Sequence, residues 1–153
     1  MRLAQARLVC ALIWVGQLMD GLFIYALDRF SLMEVKPNPS LLKPIYYTGA
    51  GIVVFLLVLK KALLRPSRFV AMEEERVLPS ISLSFVVLTA VASSLSVLAL
   101  VLYLTTGLLK YSLTMVLLSL VASFMVFPFN MTVEGLIYEI KRRREMEGPP
   151  PIP

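Results

Sequence analysis

Asp20 is the residue that most needs a chemical explanation. It is the one charged group in LVCALIWVGQLMDGLFIYAL, the run from Leu8 to Leu27. At about 1.5 Å per residue such a run is as long as a bilayer core is thick, ~30 Å. A carboxylate there costs roughly 2.5–3.5 kcal/mol on insertion scales. The ten Leu, Ile, Val and Phe residues of the run return roughly 3–6 kcal/mol, enough to offset one acid. Gln17 lies one helical turn earlier, so Ile13, Gln17, Asp20 and Ile24 form a stripe, with Gly16 and Gly21 beside it. Two chemistries fit. Asp20 and Gln17 are hydrogen-bonding groups that join helices, or Asp20 is a proton or cation site.

Hydroxyls form a second pattern. Ser82, Thr89, Ser93 and Ser96 recur at spacings of seven, four and three in one apolar run. Ser112, Ser119 and Ser123 recur at seven and four in the next. Folding the chain about Gly107 brings Ser96 level with Ser119 and Tyr103 level with Ser112. Small residues at heptad-like spacing are what a close helix pair needs, so Ser93, Ser96, Ser119 and Ser123 are read as packing positions. A hydroxyl-lined polar path is the alternative.

Other chemistry is poorly supplied. The chain has no histidine and one cysteine, Cys10. That removes the usual general base and the common zinc and haem ligands, and no internal disulfide can form. No glycine loop for phosphate follows a strand, and no nucleophile sits near a base. No metal, no cofactor and no enzymatic activity are expected. Asp20 with Glu34 is the one acid pair that could be nominated.

The elements that must position these residues are membrane helices. Of 153 residues, 58% are hydrophobic and 16% charged, against about 25% charged in soluble domains. The mean hydropathy is +0.81. The expectation is a single all-α domain, a polytopic integral membrane protein forming a bundle of four transmembrane helices. Its spans are placed at about 8–27, 45–64, 81–104 and 108–129. Three prolines break the link between the first two. The link RPSRFVAMEEERVLP is read as a solvated loop or a short interfacial helix over RFVAMEEER. Pro128 should kink the fourth span before a polar helical extension and a proline-rich tail, 130–153.

Eleven of the fifteen Lys and Arg residues fall at the N-terminus, between spans two and three, or after span four. This bias puts both termini in the cytoplasm and the chain in the plasma membrane, with the first span a retained signal anchor. The same distribution explains the net charge of +5 without nucleic acid. Lys141, Arg142, Arg143 and Arg144 are read as a basic anchor on anionic lipid.

The first hairpin resembles a family of small prokaryotic membrane proteins of unknown function. The residues are Asp20 in LMDGLF, Glu34, Asn38 and Pro39 in the following loop, and Lys60 in span two. The loop departs from the family's Glu-x-Asn-Pro by extra residues between Glu34 and Asn38. The resemblance covers roughly residues 14–64. It implies that Asp20, Glu34 and Asn38 act as a set at the outer face.

Two functions follow as expectations. One is a small accessory subunit of a larger membrane complex, contacting lipids and other integral membrane subunits. The other is a homo-oligomeric proton- or cation-coupled transporter or channel using Asp20. Small multidrug exporters also have four helices and an acid in the first, but that acid is Glu.

Overall fold

The protein is described here from a computed structural model, which covers residues 2–32 and 38–147. Among the described residues the regular elements are all helices, and no strand occurs. The helices are α1 (Leu3–Arg29), α2 (Leu42–Leu63, preceded by a 3-10 turn Pro39–Leu41), α3 (Ser67–Val70), α4 (Glu74–Thr106), α5 (Leu109–Met125) and α6 (Asn130–Glu147). Three stretches are long and apolar enough to cross a membrane: α1, α2 with its flanking turns, and α4. A fourth counts if α5 and α6, bent by 44° at their junction, form one broken span.

Chain directions follow from side-chain pairings. Asp20 meets Ser96 and Asp28 meets Tyr103, so α1 and α4 run the same way. Arg7 meets Pro128 and Gly21 meets Val116, so α5 runs against α1. α2 follows α5, with Tyr46 beside Tyr111 and Lys60 beside Met125. The turn from α4 into α5 depends on Gly107. It sits in the left-handed region at φ 65°, where its N–H caps Tyr103 at 2.8 Å.

α4 is the spine. Fourteen of its residues are buried, against two of α2, Gly49 and Leu56. The main core gathers Ile24, Leu88, Ala92, Leu95, Leu102 and Met115 between α1, α4 and α5. A second, smaller core lies at one end, where Phe69, Val77, Phe85, Val133 and Ile140 pack with Leu3. That end therefore holds the start of α1, α3 and α6 together.

The helix ends depart from expectation in two places. The third helix begins at Glu74 rather than near residue 81, and it passes through Pro79. Pro79 deprives the Glu75 carbonyl of its donor, one bond of a 33-residue helix, and Glu74 and Glu75 suit the positive helix start. The RFVAMEEER segment is thus split between α3, a three-residue break and α4. The run from 108 to 129 is not one continuous helix. Pro128 disfavours helix at Phe127. α5 accordingly stops at Met125 in two tight turns, Val126 N to Ser123 O at 3.3 Å and Phe127 N to Phe124 O at 3.2 Å.

Candidate functional site

Each polar group of α1 meets a different height of the bundle. Near its start, Cys10 Sγ lies 3.3 Å from Thr89 Oγ1, which also donates to the Phe85 carbonyl at 2.9 Å. Trp14 Nε1 donates to the Leu120 carbonyl at 3.2 Å, and its ring stacks on Phe124. Gln17 is fully buried and its Nε2 donates to Ser123 Oγ at 2.7 Å. Asp20, half-buried, accepts from Ser96 Oγ at 2.7 Å. Asp28 accepts from Tyr103 Oη at 3.2 Å. The Gln17–Asp20 stripe thus divides between two neighbours: Gln17 reaches α5 and Asp20 reaches α4.

The hydroxyls of α4 and α5 serve the same seam. Ser119 Oγ donates across to the Ala92 carbonyl at 2.9 Å. That is one turn from Ser96, so the hairpin register is shifted by a turn from the level pairing of Ser96 with Ser119. Ser112 is buried but bonds within its own helix, to the Leu108 carbonyl at 3.2 Å. Ser93 is only half-buried and donates to its own helix at Ala90. Ser123 is the acceptor for Gln17. Three of the four packing serines therefore join helices, and Ser93 does not. Two buried atoms have no partner among the described residues, Gln17 Oε1 and Ser82 Oγ.

The glycines separate in the same way. A Cβ on Gly21 would meet Val116 Cγ1 at 3.1 Å, and one on Gly49 would meet Met115 Cε at 2.5 Å. Gly16 and Gly51 have nothing within 4 Å. Close helix approach thus belongs to Gly21 and Gly49 alone of these four.

Cations close the junction between α5 and α6. A broken helix frees carbonyls that must find donors. Lys60 Nζ donates to the Met125 carbonyl at 2.9 Å. Arg7 Nε donates to the Pro128 carbonyl at 3.0 Å, and its guanidinium also reaches Asn130 Oδ1. Arg144, from the C-terminal basic run, turns inward. It donates to the carbonyls of Val70 at 3.1 Å, Phe69 at 3.2 Å and Met72, and sits 3.5 Å from Glu74. Arg143 pairs with Glu139 at 3.1 Å, and Arg142 lies 4.0 Å from it. Lys141 is exposed and makes no ion pair or hydrogen bond among the described residues. The run is four residues with three different duties, not one uniformly exposed patch.

Sequence reasoning missed Asp28, Arg7 and the acceptor side of Lys60. Asp28 carried a signal, two turns beyond Asp20 and so near the same face. The caps carried none, because their acceptors are backbone carbonyls. Of the outer-loop set, Asn38 accepts from Ser40 Oγ at 2.5 Å. Glu34 lies outside the described residues. Nothing described here brings Asn38 to Asp20. No group of three His, Cys, Asp or Glu able to hold a metal occurs among the described residues.

Comparison of the chain with protein-family models, with curated proteins and with solved structures finds no match.

Proposed function

We propose that this chain is an integral membrane protein of four spans, the fourth broken, with both termini in the cytoplasm. Its role is that of a small accessory subunit, packing within a larger complex of integral membrane subunits in the plasma membrane and doing no chemistry of its own. One observation carries this reading. Polar side chains set in the apolar helices are engaged within the bundle: Gln17 with Ser123, Asp20 with Ser96, Asp28 with Tyr103, and Ser119 with the backbone carbonyl of Ala92. The outward faces are left apolar: Leu8, Leu12, Leu22 and Phe23 on α1, and Val54 and Val58 on α2, are each more than half exposed. A surface of that kind needs lipid or neighbouring helices over it. Eleven cations at the end that gathers Leu3, α3 and α6 orient that end to the cytoplasm.

A second reading has one observation in its favour. Asp20 is only half-buried, and among the described residues a single side-chain hydrogen bond holds it. A homo-oligomer could enclose that carboxylate in a proton or cation path. The test is extraction in mild detergent followed by the mass and composition of the particle. Stoichiometric larger subunits support the accessory role. A small homo-oligomer without partners overturns it, and ion flux abolished by Asp20→Asn would then establish the second.

A further inference from the structure

Between the first turns of α4 and the inner face of α6 lies a cavity of about 240 Å³. Its floor is apolar, made by Leu78, Ile137 and Ile140, and its rim carries Lys141, Arg144 and Glu74. The rim groups are not equivalent. Arg144 is committed to the carbonyls after α3 and to Glu74. Those two charges offset one another. Among the described residues Lys141 has no ion-pair or hydrogen-bond partner, so it is left unpaired there beside an apolar floor.

We infer that this cavity is a site for one anionic phospholipid, with Lys141 on the headgroup phosphate and the first acyl carbons on Leu78. The volume is below the 300–1,000 Å³ usual for a whole drug-sized ligand. It suits a headgroup and the start of a chain whose remainder lies along the helices. The position agrees. Glu74 and Leu78 sit where the apolar stretch of α4 begins, the level of headgroups at the cytoplasmic face. Basic pockets between helices on that side take anionic headgroups. The site rests on the membrane reading above, but not on the accessory role. It also narrows the basic run to one residue: Arg142 and Arg143 face Glu139, so Lys141 carries the lipid contact.

The experiment uses the full chain purified in a mild neutral detergent. Phosphatidylglycerol or phosphatidylcholine is added, and native mass spectrometry counts the lipid retained. Wild type should keep one phosphatidylglycerol per chain in preference to phosphatidylcholine. Lys141→Gln should weaken that retention about fivefold, the ratio that one cation's ~1 kcal/mol at an anionic surface gives. Lys141→Arg should restore it, and Lys61→Gln, outside the cavity, should leave it unchanged. Equal retention of both lipids overturns the site, as does an unchanged Lys141→Gln. Displacement of the lipid by millimolar inorganic phosphate would show that a free anion suffices, and would overturn the lipid assignment. Carbonate washing of the native membranes separates the two levels. Release of the chain overturns the membrane reading and the site together, whereas a retained chain indifferent to headgroup charge overturns the site alone.

Discussion

α1 and α2 are both long apolar helices against the same spine, yet they are attached differently. α1 is bonded to α4 or α5 at every level, through Cys10, Trp14, Gln17, Asp20 and Asp28. α2 buries Gly49 and Leu56, and its side-chain bonds to the bundle come near its two ends, at Tyr46 and Lys60. Between those ends an apolar cleft of about 530 Å³ opens between α2 and α4, along Ile52, Phe55, Val87 and Val91. In a bilayer, burying apolar surface between helices gains little over lipid. Hydrogen bonds and close packing must supply the attachment. α1 has both along its length, whereas α2 has one close approach, at Gly49, and side-chain bonds near its ends. The difference assigns α1, α4 and α5 to a fixed core and α2 to the adaptable flank.

Overpacking separates the two regions most strongly. Ser119 is fully buried against Ala92. Ser119→Leu should cost about 2–3 kcal/mol, whereas Val54→Leu on the exposed face of α2 should stay within about 0.5 kcal/mol. Thermal unfolding of the purified variants checks both, and equal costs would erase the distinction. Next comes the fastening of α2. Lys60→Met removes the exposed bond to the Met125 carbonyl and should cost about 0.5–1.5 kcal/mol. Hydrogen exchange should then rise at Val126 and Phe127 and along α2, but not along α1. A rise along α1 would mean that the helices are not separately held. The smallest effect is at Gln17. Gln17→Leu loses the bond to Ser123 but also removes a buried carbonyl without a partner. The two changes oppose one another, so stability should move by less than about 0.5 kcal/mol.

Much of the core was legible in the sequence, and for physical reasons. Helix length, the stripe through Gln17 and Asp20, and the kink at Pro128 follow from hydropathy, from the 3.6-residue period and from the missing proline N–H. Which neighbour each polar group would choose was not legible. Gln17 and Asp20 share a face, yet they diverge to α5 and α4 because both helices flank α1. The one-turn shift of Ser119 to Ala92 depends on how Gly107 closes the hairpin, which serine spacing does not encode. Arg144 reads as part of the basic lipid anchor because nothing local marks the carbonyls of Phe69, Val70 and Met72 as needing a donor. The span placed at 81–104 starts after Pro79, yet α4 runs through that proline.

The account stands on Asp20 being an interhelical group, and coupling between Asp20 and Ser96 tests that most directly. The stabilities of Asp20→Ala, Ser96→Ala and the double variant form a cycle that isolates the pair. The predicted interaction is about 0.6–1.7 kcal/mol, from the average to the maximum for hydrogen bonds between membrane helices. A coupling indistinguishable from zero, with the single variants as stable as the wild type, would contradict the account. Asp20 would then be a carboxylate kept for some purpose other than holding α1 to α4.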